Sequence, residues 1–228
     1  MAQTKTICFA NNKGGSGKST TCANVGYSMV TEGKKVLLID GDMQMNLTLS
    51  YFDEEAALGF NESGENLYTA IKHQKELTPY IRHTAYEGLD LIPSSILMSG
   101  IEVDLFTMWQ REFVLRTGLA KIKEAGTYDY ILIDCPPIDV VADASIITEV
   151  TDMSVFVMRA NQMDKRVLPN IEELYKSGKY RHMALLLNSV ELKHKKYGYG
   201  KSGYGYGYDG YGYKNYYNYL MMAPYANA

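Results

Sequence analysis

The stretch NNKGGSGKST, residues 11–20, decides the fold of this chain. It follows a short apolar run at 6–10 and opens a segment with helical periodicity from Ser19 to Val30. A strand, a glycine-rich turn and a helix N-terminus in this order build a cradle for phosphate, because glycines turn tightly and leave backbone N–H groups free for an anion. The stretch therefore predicts a site for the phosphates of a nucleotide.

Lys18 and Ser19 give this cradle its chemistry. The lysine supplies a mobile charge for the β- and γ-phosphates, and the hydroxyl is placed to ligate Mg²⁺. The spacing matches Lys-Gly-Gly-x-Gly-Lys-Ser/Thr, the deviant Walker A motif, which begins with an extra lysine, Lys13. In the standard Gly-x-x-x-x-Gly-Lys-Ser form, Asn12 replaces the first glycine. We expect a nucleotide and Mg²⁺ to bind here. The predicted cradle consists of Gly14, Gly15, Ser16, Gly17, Lys18 and Ser19.

Two later apolar runs end in aspartate. Residues 36–39 lead to Asp40 and Asp42, and residues 130–133 lead to Asp134. Short continuous apolar runs are typical of buried parallel strands, and the carboxyl ends of such strands form the ligand-binding edge of an open sheet. An apolar run that ends in aspartate beside a P-loop is the Walker B pattern, whose carboxylate holds Mg²⁺. We expect all three carboxylates to face the phosphates and the metal; an Asx-rich turn is the alternative for the first two.

Helical and strand patterns alternate along the chain, which predicts an α/β fold with a doubly wound, mostly parallel sheet. One predicted helix covers 104–125, with Asp104 as its cap and Gly126 at its end, and we expect Trp109 in the core or in an interface. The other predicted helices cover 66–72, 142–150 and 164–176, and the other predicted strands cover 89–93, 153–158 and 183–187, the last ending at Asn188.

The composition argues against several classes of protein. A net charge of −3 over 228 residues gives no overall attraction to nucleic acid or to an anionic membrane. The first residues lack the apolar core of a signal peptide, and no stretch reaches the roughly 18 apolar residues of a membrane span, so we expect a cytoplasmic protein. Cys8, Cys22 and Cys135 show no metal-binding spacing and are expected to be reduced core thiols.

From Lys193 onward, tyrosine alternates with glycine, and no aliphatic or β-branched residue occurs before Leu220. Ordering such a segment costs much backbone entropy. We expect a P-loop ATPase domain over residues 1–192 and a disordered tail over residues 193–228. Two roles for the tail stay open, an adhesive segment without chemistry and a cluster of phosphate acceptors.

Residues 1–135 resemble the ParA/Soj group of chromosome- and plasmid-partitioning ATPases, which are relatives of MinD. The resemblance lies in residues 12–20, 38–46 and 131–137. Met43 and Met45 stand where this group commonly has proline and glycine, which implies a differently shaped loop after Asp42.

The resemblance implies a role for each site residue. ATP would be the ligand, Thr20 would contact its α-phosphate, and Lys13 would reach across an ATP-dependent homodimer to the ATP of the partner. Such a lysine acts like an arginine finger and couples hydrolysis to dimerisation. Asp42 would orient the attacking group, with Asp40 and Asp134 supporting the metal shell. Asn188 resembles an adenine-contacting asparagine of the wider family; an ordinary turn residue at a strand end is the alternative. The implied catalytic residues are Lys13, Lys18 and Asp42.

Residues 128–219 resemble instead the cytoplasmic domain of bacterial tyrosine kinases (BY-kinases), which autophosphorylate a C-terminal tyrosine cluster between neighbours. The resemblance lies in residues 134–144, 157–160 and 186–190 and in the tyrosine-rich tail. Gln44 stands where these kinases usually carry arginine, and their Glu-x-x-Arg-x-x-Arg motif is not found. The basic C-terminal helices with which partition ATPases grip DNA have no counterpart either, so DNA binding is not supported.

Three functions follow from this hybrid sequence. The first expectation is a Mg²⁺-dependent ATPase of the partition type that dimerises on ATP. The alternatives are a tyrosine autokinase and a nucleotide-bound scaffold without catalysis. A partner protein that stimulates hydrolysis fits either family, and association with a membrane protein fits the kinase.

Overall fold

The computed structural model describes residues 3–11, 13–137, 144–160, 162, 166, 168–178 and 180–190. Asn12, the predicted domain boundary at residue 192 and the whole tyrosine-rich tail lie outside these residues. The prediction that the tail is disordered therefore stays a prediction.

A seven-stranded sheet forms the centre of the described chain, with the order β3-β4-β2-β5-β1-β6-β7. All neighbouring strands are parallel except β3, which pairs antiparallel with β4 at one edge. The predicted α/β fold with a doubly wound, mostly parallel sheet is confirmed. The strands are β1 Lys5–Ala10, β2 Val36–Asp40, β3 Arg82–His83, β4 Leu89–Ile92, β5 Tyr130–Asp134, β6 Met153–Arg159 and β7 Ala184–Asn188.

Helices cover both faces of the sheet and enclose two apolar cores. Successive side chains of a strand point to opposite faces, so Leu37 and Ile39 of β2 enter one core while Leu38 enters the other. β2 is buried along its whole length, which explains its continuous apolar sequence. The helices are α1 Lys18–Thr31, α2 Asn46–Leu49, α3 Glu54–Ser63, α4 Leu67–Lys72, α5 Ile101–Phe106, α6 Val114–Ala125, α7 Ala144–Thr148 and α8 Leu168–Lys176.

The predicted single helix over 104–125 is wrong. The chain forms α5 and α6 with a break between them, where Gln110 adopts a left-handed φ of 55°. Asp104 lies inside α5, and its carboxylate accepts a hydrogen bond from Tyr68 (2.9 Å) instead of capping a helix. Trp109 is 82% exposed, so it does not lie in the core. Its alternative place, in an interface, stays a prediction. Gly126 ends α6 in a left-handed conformation, as predicted.

The remaining predicted elements are found within a few residues of their expected bounds, and Asn66 caps α4 through its side chain. The helices predicted over 142–150 and 164–176 are seen as the shorter α7 and α8, since part of each prediction lies outside the described residues. The sequence patterns missed α2, α3 and β3. All three cysteines are buried and unpaired, as predicted. No helix in the described part of the chain combines the length and hydropathy that a bilayer span requires.

Candidate active site

A cleft of about 960 Å³ opens where the carboxyl ends of the central strands meet. It brings together most of the residues singled out from the sequence. These lining residues are Gly14, Gly15, Gly17, Lys18, Ser19, Thr20, Asp42 and Asn188. Lys13 is exposed and stands outside the lining, whereas Ser16, Asp40 and Asp134 are buried behind it.

The glycine-rich loop turns through two left-handed residues, Gly15 (φ 73°) and Gly17 (φ 92°), before α1 begins at Lys18. Two features exclude any side chain at Gly17, its backbone conformation and a neighbouring side chain. L-residues rarely adopt this φ, and a Cβ atom would collide with the side-chain amide of Asn188. The backbone N–H groups at the start of α1 therefore stay accessible to an anion in the cleft.

Side chains from the far strands hold the carbonyl groups of the loop. Arg159, at the end of β6, donates to the carbonyl oxygen of Gly15 (3.2 Å). Asn188, at the end of β7, donates through Nδ2 to that of Ser16 (3.2 Å). The amide of Asn188 thus has a place beside the phosphate loop, and its contact with adenine stays a prediction. The sequence patterns gave no role to Arg159, because a lone arginine after a strand carries no distinguishing signal.

Asn11 fixes the start of the loop at the end of β1. Its Nδ2 group donates to the carbonyl oxygen of Val157 in β6, and its Oδ1 atom accepts from the backbone N–H of Lys13 (2.9 Å). Lys18 is only 5% exposed, and its Nζ atom lies 3.5 Å from the carbonyl oxygen of Lys13. A nearly buried ammonium group with a weak partner is suited to an anionic ligand.

Asp134 is fully buried, and neither of its carboxylate oxygens has a hydrogen-bond partner in the described part of the chain. Burial, and after it the charge of Asp40, raise the pKa of Asp134 well above its ordinary value. The Ser19 hydroxyl, which lies nearby but outside hydrogen-bond geometry, and the Lys18 charge oppose the rise. The two aspartates lie opposite each other in the register of β2 and β5. A buried carboxylate without partners beside a P-loop serine fits a Mg²⁺ site, because Mg²⁺ prefers oxygen ligands.

Asp40 is also fully buried, but its oxygens are occupied. Thr48 donates its backbone N–H (2.8 Å) and its hydroxyl (2.7 Å) to Oδ2, and Asp42 donates its backbone N–H to Oδ1 (3.1 Å). Burial raises the pKa of Asp40 to about 6, against the lowering effect of these hydrogen bonds. The described residues hold no cluster of three or more His, Cys, Asp or Glu side chains placed to bind an ion. In phosphate sites Mg²⁺ commonly takes most of its ligands from phosphate oxygens and water.

The replacement Asp134→Asn should stabilise the protein in the absence of nucleotide and Mg²⁺. Because the folded-state pKa is raised, the wild-type protein loses stability as the pH rises above the unfolded value near 3.9. We expect the gain to be about 1–3 kcal/mol near pH 8, the cost of an unsatisfied buried group, and to vanish towards about pH 4. Urea unfolding at several pH values measures it.

The matched control is Asp129→Asn, which changes an exposed aspartate just before the same strand. It should leave this pH dependence unchanged. Equal stability of Asp134→Asn and wild-type protein across the pH range would contradict the assignment of Asp134 as an uncompensated carboxylate.

Residues 4–181 match the model of a family described as an AAA domain. The chain belongs to this AAA domain family. This chain is 35% identical over 133 residues to the chromosome partitioning protein ParA of Caulobacter vibrioides, which are 58% of this chain and 48% of ParA. It is 38% identical over the same length to the sporulation initiation inhibitor protein Soj of Bacillus subtilis, which is 58% of this chain and 50% of Soj. It thus spans about half the length of these relatives.

A third relative covers more of the chain. The tyrosine-protein kinase YwqD of Bacillus subtilis is 28% identical over 198 residues, which are 86% of this chain and 78% of the kinase. Both resemblances noted in the sequence thus have counterparts among known proteins.

Solved structures share the fold of the AAA domain. A plasmid partition protein from Borrelia burgdorferi superimposes with a TM-score of 0.66 at 26% identity, covering 84% of each chain. Cobyrinic acid a,c-diamide synthase from Mycobacterium smegmatis, with a bound ATP analogue and magnesium, also gives 0.66 at 26% identity, covering 81% of this chain and 72% of the synthase. The fold is that of ParA-like P-loop NTPases, and it holds nucleotide and Mg²⁺ in a neighbour.

Proposed function

We propose that this AAA domain binds Mg²⁺ and ATP, dimerises on ATP and hydrolyses it, as a partition-type ATPase. The observation that carries the proposal is the grouping of a P-loop lysine, Lys18, and the hydroxyl of Ser19, which both line the cleft, with the unpartnered carboxylate of Asp134 buried behind that lining. Its similarity to ParA and Soj, and the ATP analogue with magnesium in a structural neighbour, support this choice.

Each side of the cleft takes a different part of the substrate. The loop 14–17 and Lys18 bind the β- and γ-phosphates, and Thr20 contacts the α-phosphate. Ser19 would ligate Mg²⁺, with Asp134 in the surrounding shell and Asp40 supporting it, and the bound ion would supply neutralisation of the phosphate charge.

The chemistry needs little beyond these contacts. Phosphoryl transfer is mainly positioning and charge stabilisation, so Asp42 has only to orient the attacking group. The exposed Lys13 serves the partner's ATP.

A tyrosine autokinase is the second candidate, and the position of β7 favours it. This strand delivers the chain to the nucleotide cleft, because Asn188 and Ser189 both line it, and the tyrosine cluster begins soon after, at Tyr197. The same phosphate-binding residues serve water or a tyrosine hydroxyl as acceptor. The similarity to YwqD over most of the chain also supports this candidate.

One incubation separates these functions. The full chain is incubated with Mg²⁺ and ATP, with an EDTA-treated sample as control, and is scored for ADP and, by mass spectrometry, for phosphotyrosine. We expect Mg²⁺-dependent ADP release without phosphotyrosine. Phosphotyrosine in the tail would establish the kinase instead. Bound ATP with neither product would establish a nucleotide-bound scaffold.

A further inference from the structure

Four buried residues close a ring of hydrogen bonds directly behind the cleft. Thr48 donates its hydroxyl to Asp40, and the same hydroxyl accepts from the backbone N–H of Ser94 (3.1 Å). The hydroxyl of Ser94 donates to the backbone carbonyl of Asp42 (2.8 Å), and the backbone N–H of Asp42 donates to Asp40 (3.1 Å). The ring thus ties the end of β2 to α2 and to the segment that leaves β4.

The ring is sealed from solvent. Asp40, Thr48 and Ser94 have no exposed surface, and Asp42 is 7% exposed. In such surroundings each hydrogen bond is strong, and opening one leaves a partner unsatisfied. The ring is therefore a rigid support.

Asp42 is the member of the ring that reaches the cleft. The ring holds it by both backbone groups, since its N–H and its carbonyl oxygen each have a partner there. Its Oδ1 atom also accepts from the backbone N–H of Gln44 (3.1 Å). Backbone and side chain are thus fixed together, which sets the direction in which the carboxylate faces the cleft.

The loop after Asp42 needs such support, because Met45 adopts a left-handed φ of 55°. This conformation is strained for a non-glycine residue and persists only where the surroundings determine it. The carbonyl oxygen of Asp42, which the hydroxyl of Ser94 holds, also accepts from the backbone N–H of Met45 (3.0 Å). The loop thus keeps the conformation that glycine, common here in the partition group, adopts readily.

We infer that Thr48 and Ser94 are positioning residues that hold Asp42 in the orientation required for phosphoryl transfer. The inference rests on the proposed function, in which Asp42 orients the attacking group. It gives Asp40 a second task, because the oxygens of this carboxylate serve as the acceptors that close the ring.

Thr48→Val and Ser94→Ala test the inference. Valine keeps the shape of threonine and removes its hydroxyl, so we expect kcat for ATP turnover to fall about 10- to 100-fold, the scale of a small misplacement of a catalytic group. ATP affinity, measured with a fluorescent analogue, should stay within about twofold, because the phosphate loop is untouched. Thr48→Ser keeps the hydroxyl and loses the methyl group, and it should retain the kcat of the wild type. A role of Thr48 in packing alone would not produce this difference between the serine and valine variants.

Two comparisons sharpen the test. Thr4→Val removes another buried hydroxyl, one that donates to the carbonyl of Tyr128 at the opposite end of the sheet, and should leave kcat unchanged. The double variant Thr48→Val, Ser94→Ala should cost no more than Thr48→Val alone, because the ring is already open.

The outcomes distinguish this inference from the proposed function. If the wild-type protein turns over ATP and Thr48→Val has the same kcat as Thr4→Val, the inference alone is overturned. Equal losses of kcat and ATP affinity would also overturn it, since they indicate a general structural defect. No turnover by the wild-type protein would overturn the proposed function and this inference together. If Thr48→Val fails to fold, Ser94→Ala decides by the same criteria.

Discussion

Lys18→Met should reduce ATP turnover by about 10³-fold or more while the protein remains folded. The scale is that of removing a cation that stabilises the charge of the transferring phosphoryl group. Methionine keeps the unbranched stem of the side chain, which is buried in the loop. The variant loses only the Nζ group, whose single described hydrogen bond is the 3.5 Å contact with the carbonyl oxygen of Lys13.

ADP release under saturating Mg²⁺ and ATP measures this effect, and the unfolding midpoint in urea checks the fold. Removing a nearly buried charge without a strong partner should leave stability unchanged or raise it. Lys34→Met, which changes an exposed lysine after α1, is the matched control and should retain full turnover. Turnover by Lys18→Met within about tenfold of wild type would contradict the role of this lysine, because a tenfold change corresponds to only about 1.4 kcal/mol of barrier.

Lys13→Ala should abolish ATP-dependent dimerisation and leave ATP binding by the monomer largely intact. The side chain of Lys13 is exposed and lies outside the cleft lining, so we expect binding of the chain's own nucleotide not to depend on it. The backbone of Lys13 has two tasks in the loop, as donor to Asn11 and as acceptor for Lys18. Alanine keeps both, so the substitution tests the side chain alone.

Sedimentation velocity with and without a non-hydrolysable ATP analogue measures this prediction. The wild-type protein should shift from monomer to dimer on adding the analogue, and Lys13→Ala should not. Lys34→Ala, a change of the same size and charge at an exposed site, should behave like wild type. If the sedimentation coefficient of Lys13→Ala shifts on adding the analogue as much as that of the wild type, the proposal that Lys13 acts across the dimer interface is wrong.

Local patterns were sufficient to predict the six parallel strands of the sheet and the centre of the candidate site. The apolar runs before Asp40 and Asp134 are short, continuous and bounded by turns, and each forms a buried strand. The deviant Walker A motif is contiguous, so its glycines and Lys18 were identified together. These features depend on neighbours in sequence, which is why a single sequence sufficed.

The other features depend on contacts between distant parts of the chain. Ser94 lies far in sequence from Asp42, and no spacing rule links a serine after β4 to a carboxylate after β2. The break before α6 was missed because the apolar residues of α5 and α6 together imitate one helical period, and both helices pack into the same core. Nothing local signals that Gln110 adopts a left-handed conformation.

The supports of the phosphate loop bear on the ancestry of this chain. The two family resemblances meet near residue 135, yet β1 lies between β5 and β6, and Arg159 and Asn188 grip the loop from the later half. That meeting point is therefore not a boundary between two independent structural units. An exchange of later halves between relatives would replace Arg159 and Asn188, which hold the phosphate loop, as well as the tail. A hybrid made by such an exchange would need side chains at positions 159 and 188 that also donate to the carbonyl groups of the loop.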